Sequence, residues 1–494
     1  MYKDIAYGAV AVAAALALSG LGAGTGALAT AGRAGHPAGH AAASGTAGTV
    51  PGAQLWVQRY NGPANGDDRA TAVAVSPAGG RVFVTGSRDA PNGRPNYATV
   101  AYNAATGAQQ WVNMYNGPAN RSDLPESMAV SPRGDRVFVT GYSDGGAYVG
   151  DYATVAFNAA TGAQLWAKRY SNGNCYAAAT SVAVSPSGGT VYVTGSSEKF
   201  VPSDGGSAAD YVTIAYNAAT GAQRWLKHFT GVGSYDNNYA HSVAVSPRGG
   251  TVFVTGEGFG GDYATVAYNA ATGAQLWVGR YNGPANGEDT ASSMAVSPRG
   301  DTVFVTGTSD GRFGGDYATV AYSAATGAQL WVKRYNPSRY DTATAVAVSS
   351  TGSTVYVTGY SYTGALADDY ATVAYNAATG ARLWVGRYNG PANGHDQASS
   401  VTVSPTGGTV YVTGTSPGAA SREDYATIAY NAATGAQLWV GRYNGPANGD
   451  DSATSVAVSP DGAKVFVTGA APEAPREGIT PRSPTAAEGG PGGD

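Results

Sequence analysis

The chain has 494 residues, of which 72 are glycine, 33 tyrosine and only one cysteine, with a formal net charge of −4. A single cysteine, Cys175, excludes an internal disulfide framework and a cysteine-built zinc site, and so small a charge offers no concentrated basic face for nucleic acid. The composition favours short strands and tight turns over helices.

The first 29 residues read as an export signal. Lys3 supplies the positive end, residues 9–18 are unbroken apolar, and Ala27-Leu28-Ala29 offers the small residues at which a signal is cut. The competing reading is an uncleaved anchor, but the apolar run is short for a span of about 20 residues. A lipid anchor would need a cysteine there. Once the signal is removed, no membrane span is expected. Residues 30–50 read as a flexible linker, 51–469 as one repeat-built body, and 470–494, rich in Pro, Gly and Glu, as a disordered tail.

The body is one unit written eight times. Trp56, Trp111, Trp166, Trp225, Trp277, Trp331, Trp384 and Trp439 are all the tryptophans there are, at spacings of 52 to 59 residues. Each unit carries four strand-like segments. In the second unit, Ser127-Met128-Ala129-Val130 (strand A) ends in Ser131-Pro132-Arg133-Gly134, a type I turn pattern. Val137-Phe138-Val139-Thr140 (B) is β-branched and aromatic and is followed by a loop of variable length. The segment 152–157 (C) turns at Asn158-Ala159-Ala160-Thr161-Gly162 into 164–170 (D), which holds the tryptophan. A four-stranded meander of this kind cannot cover both its faces alone, so the units stack radially into an all-β propeller. Strands A and B occur eight times and C clearly only seven. Eight blades are therefore predicted, with seven as the alternative. The last blade would be closed by both termini, combining the final A–B hairpin with the strand at 54–60 and a degenerate C near 42–50.

Two resemblances follow from these residues. The segment 451–462 (DSATSVAVSPDG), followed by Val465-Phe466-Val467-Thr468-Gly469, resembles the bacterial SBBP-type β-propeller repeat. Ala267-Tyr268-Asn269-Ala270-Ala271-Thr272-Gly273-Ala274-Gln275-Leu276-Trp277 resembles the tryptophan-docking motif of PQQ-type propellers. That second resemblance implies that the eight indoles pack between blades as structural docks. Many quinoprotein dehydrogenases of the family also carry a vicinal cysteine pair, which this chain lacks, so its non-enzymatic scaffolds are the better analogy.

Function is expected where the repeat varies. The D–A and B–C connections share one face and differ between units, whereas the A–B and C–D turns are short and uniform. On the variable face, Asp68, Asp289, Asp396 and Asp451 precede strand A, with Asp123 and Asp341 in variant loops. Asp151, Asp210, Asp262, Asp316, Asp369 and Asp424 open strand C. Aspartates at such junctions commonly organise turns; the other reading is a cation site, with calcium the metal suited to carboxylates and Asp68, Asp289, Asp396 and Asp451 its ligands. The most divergent stretch, 171–242, crowds Tyr235, Asp236, Asn237, Asn238 and His241 into one candidate binding loop. Three G-x-S-x-G texts, around Ser143, Ser309 and Ser416, lack the helix that a nucleophile elbow requires. The expectation is a secreted, monomeric binding or scaffold propeller, extracellular or cell-wall associated, for a protein, peptide or cell-surface partner. The alternative is a PQQ-type quinoprotein or a metal-dependent hydrolase.

Overall fold

The computed structural model describes residues 51–62, 67–146, 149–173, 175–201, 206–231, 237–311, 314–362, 364, 367–418 and 422–472. They form seven four-stranded antiparallel sheets, each a plain meander of neighbouring strands, and one two-stranded sheet. In the first blade the strands are Arg69–Val75, Arg81–Asp89, Pro95–Asn103 and Gln109–Tyr115. The other complete blades span 123–170, 177–229, 239–281, 289–335, 341–388 and 397–443. The only helical turn among the described residues is Phe259–Gly261.

Consecutive blades stack through apolar layers rather than around one central core. Phe83, Tyr97 and Trp111 of the first blade share a cluster with Val137, Val155 and Phe157 of the second, and the pattern repeats around the ring. Each indole reaches across one blade boundary. Trp111 donates its ring N–H to the carbonyl of Ala159 at 3.1 Å, Trp277 to Ala324 at 3.0 Å and Trp384 to Ala432 at 3.0 Å. The glycine of the receiving Thr-Gly turn lies under the ring; a Cβ at Gly327 would stand 2.6 Å from Trp277. Glycine is also needed there because its φ is positive (+72°). The leucine before the tryptophan does not share this burial, since Leu276 remains 51% exposed. Strand D is thus apolar on one face against its neighbour and open at the outer rim.

Seven complete blades correct the expectation of eight. Among the described residues the eighth unit is present only as the hairpin Ser452–Val458 with Val465–Ala470, packed between the seventh blade and the first. Residues 54–60 form no strand. The physical reason is that strand D pairs only with strand C in every complete blade, and no strand C stands beside the last hairpin among the described residues. The expected degenerate copy near 42–50 lies outside the described residues. The ring nevertheless closes. Trp56 lies 5.8 Å from Phe466 and donates to Ala104 of the first blade, Gly52 lies against Trp439, and Ser455 accepts from the backbone N–H of Val73. Arg59 donates to the carbonyls of Ala471 and Pro472 at 2.9 and 2.8 Å, so it ties the N-terminal segment to the chain beyond the last hairpin.

Candidate functional site

The variable face carries a polar node that recurs in the second, fifth and seventh blades. In the second blade, Asp123 accepts the backbone N–H of Gly117 at 2.8 Å and the hydroxyl of Ser143. Arg169, from strand D, donates to Ser143 at 2.6 Å and to Asp151, at the start of strand C, through two nitrogens. The fifth blade repeats this with Asp289, Ser309, Arg334 and Asp316, and the seventh with Asp396, Ser416, Arg442 and Asp424. Arg334 and Arg442 also donate to Tyr281 and Tyr388 of the preceding blade, at 2.9 and 2.8 Å, tying each node to its neighbour. In the sixth blade Ser338 replaces the glycine, donating to Asp341 through its N–H and its hydroxyl, and Ser361 remains a partner of that carboxylate.

Local sequence explains the geometry. The Asn-Gly-Pro-Ala-Asn loop turns through a left-handed asparagine, Asn120, Asn286, Asn393 and Asn448 in four loops, a conformation asparagine tolerates. The turn brings the glycine N–H back onto the aspartate six residues on. The node leaves no room for a side chain at that glycine, because a Cβ at Gly117 would stand 2.5 Å from Ser143 Oγ. Burial pushes the carboxyls of Asp68, Asp123, Asp341, Asp396 and Asp451 up, and the hydrogen bonds from the loop oppose it.

Asp68, Asp289, Asp396 and Asp451 therefore lie one per blade, each bound to its own loop; Asp68 and Asp451 take the N–H of Gly62 and Gly445. The structure does not bring them together, and the described residues contain no group of three or more metal-ligating side chains. The serines of the G-x-S-x-G texts are members of these nodes, at the ends of B strands.

The arginines were missed in the sequence, although they stand at a fixed place, three residues after the tryptophan. Five of the six strand-C aspartates pair with a basic side chain: Asp151, Asp316, Asp369 and Asp424 with these arginines and Asp210 with Lys199 at 2.8 Å. The charge of these strand-C aspartates is offset accordingly.

Tyr235 and Asp236 of the candidate binding loop lie outside the described residues. Asn237 accepts the N–H of Ala209 at 3.1 Å and Asn238 donates to its carbonyl, so both anchor the loop to the third blade. His241 sits elsewhere, on strand A. Its place in the repeat is a hydroxyl in most copies: Thr180, Thr344, Ser399 and Thr454 there bridge carbonyls of their own and the next unit. Two copies break the rule. Burial holds His241 down to about 4 and pushes Glu126, at the same place in the second blade, up to about 7. The long connection of the third blade is no loop at all. Strands Thr190–Val201 and Gly206–Asn217 pair to their ends and extend beyond the seven-residue B strand of the fourth blade.

Three successive stretches, 43–209, 151–316 and 316–474, match the family described as outer membrane protein assembly factor BamB. The chain belongs to that family. No curated protein matches the sequence. Among solved structures, the propeller of Dos1 is 8% identical with a TM-score of 0.55, covering 82% of this chain and 90% of its own. Chaetomium thermophilum Sqt1, solved bound to the N-terminus of the ribosomal protein L10, is 14% identical with a TM-score of 0.53, covering 82% of this chain and 94% of its own. At such identities the likeness is one of fold.

Proposed function

We propose that this chain is an exported, monomeric binding or scaffold propeller whose variable face takes a protein, peptide or cell-surface partner and performs no chemistry on it. The observation that supports this reading is the node itself. In the second, fifth and seventh blades its arginine ties a serine to the strand-C aspartate, which makes a rigid platform, while the recognition elements differ from blade to blade. The paired extension of the third blade is the most prominent of these. The Sqt1 structure is an instance of this fold holding a protein segment, and a BamB-type propeller is a scaffold by the same logic.

A peptide library selected against the purified protein tests the reading. Enriched peptides should lose binding when 197–208 is replaced by the short connection Gly258-Phe259-Gly260-Gly261, with the melting temperature kept. Peptides that bind the shortened protein as well as the original would contradict it. Export is tested by sequencing the N-terminus of protein from culture supernatant, where a start near residue 30 is expected and Met1 would contradict it.

A further inference from the structure

The seven complete blades state what the eighth lacks. Between the hairpin strand Val465–Ala470 and residues 54–60 lies a cavity of about 1000 Å³, lined by both flanking blades as well. It occupies the place of strand C. The groups that meet strand C elsewhere are still there. In complete blades the first tyrosine of strand C donates to a backbone carbonyl of the next strand C, as Tyr370 does to Ala426 at 3.3 Å. Tyr425 has no such acceptor among the described residues. The B-strand threonine pairs with a strand-C threonine, Thr413 with Thr427 at 2.9 Å; Thr468 lines the cavity without that partner. The second tyrosine of strand C lies on the preceding indole, Tyr430 at 6.0 Å from Trp384, with Gly386 beneath its ring. Among the described residues Trp439 has Tyr411 as its one aromatic neighbour, and only Trp439 and the Gly52 backbone stand near Gly441. It is accordingly less buried than the other strand-D indoles, Trp111 through Trp384. Arg59, whose counterparts hold the leading aspartate of strand C, is left on two carbonyls.

We propose that this slot accepts an extended strand from another polypeptide, antiparallel to Val465–Ala470, with the pattern acid–Tyr–small–Thr–Val/Ile–Ala–Tyr. The backbone edge supplies pairing and the side-chain pockets supply selectivity, which is strand addition to an open sheet edge. The chain's own segment before Gly52 does not meet the pattern. At the spacing of the other copies, the two tyrosine places before Gly52 fall on Ala42 and Ala47, which would leave both aromatic pockets empty. The slot reaches the variable face beside Asp68 but runs between the blades, and it stands whether or not the extension of the third blade binds a partner.

The test is anisotropy of a labelled peptide Asp-Tyr-Ala-Thr-Val-Ala-Tyr-Asn titrated into the full chain. Saturable binding is expected, weakened at least tenfold when either tyrosine of the peptide becomes alanine and equally by Gly441→Trp, which fills the aromatic pocket. Peptides selected on the loop face should bind the Gly441→Trp protein unchanged. If that variant fails to fold, the tyrosine-to-alanine peptides decide alone. No saturable binding, binding indifferent to the tyrosines, or a dimer in light scattering that excludes the peptide would each overturn the proposal.

Discussion

The boundary between the fourth and fifth blades and the boundary between the seventh blade and the eighth unit begin with the same residue and end differently. Trp277 lies between Phe253 and Tyr322, donates to Ala324 and is 8% exposed. Trp439 has Tyr411 on one side, Gly52 under it and a cavity where the second tyrosine would be. Closure survives at the second boundary because it is carried by strand A. The turn glycine of every unit but the seventh, where Gly407 meets Ser350, lies on the turn proline of the unit before, Gly79 on Pro460 as much as Gly352 on Pro298, and hydroxyls such as Thr454 reach the next unit's backbone. The lesson is that ring closure and blade completeness are separable. Inner strands and indoles close the ring, whereas strand C fills the layers between blades.

The largest expected effect breaks that comparison directly. Trp277→Ala should cost about 3–5 kcal/mol, as for a buried large-to-small change, and Trp439→Ala roughly half as much, since fewer groups surround it. Denaturant midpoints at constant m decide, and equal losses would mean that the last boundary is as full as the others.

A smaller effect compares nodes. Asp396→Ala removes an acceptor of a buried loop N–H beside Arg442 and should cost about 1–3 kcal/mol. Asp68→Ala should cost less, because in the first blade Met114 occupies the arginine's place and Asn96 that of the strand-C aspartate. Equal thermal shifts would show that the arginine adds nothing to the node.

The two broken hydroxyl places give a pH dependence. Glu126 has its carboxyl raised to about 7 by burial, so the folded state favours its neutral form. Its contribution is present below the ordinary glutamate range, near 4.5, and lost as pH rises through about 7. His241, held down to about 4, contributes above the ordinary histidine value of 6.5 and loses it as pH falls toward 4. Glu126→Gln should flatten the alkaline decline between roughly pH 5 and 8, and His241→Ser the acid decline, both read as melting temperature against pH. The smallest effect concerns calcium. With Asp68, Asp289, Asp396 and Asp451 each bound to its own loop, millimolar calcium should leave the melting temperature unchanged, and a rise would show coordination.

Much of this was legible because the repeat prints its turns. Ser-Pro-x-Gly and Asn-Ala-Ala-Thr-Gly mark the A–B and C–D corners, and the tryptophan spacing gives the unit. Two things were not legible. The aspartates stood out as charge, but their partners are arginines in a different strand, a register seen only when strand D is laid beside strand C. The missing strand was hidden because the tryptophan count is complete. Eight indoles suggest eight blades, although Trp56 is held by the inner hairpin and the first blade rather than by a strand of its own. The glutamate and histidine on strand A were masked by alternation, since at that place the repeat varies among small polar residues.

Amide hydrogen exchange on the free, full-length chain tests the separation of closure from completeness most directly. In an antiparallel middle strand, amides point alternately to the two neighbours. The B strand of the second blade, Arg136–Gly146, has both neighbours, and its interior amides should all be protected. In Val465–Ala470, paired on one side only, about half the amides should exchange orders of magnitude faster while those facing Ser452–Val458 stay protected. Uniform protection along Val465–Ala470 would contradict the account.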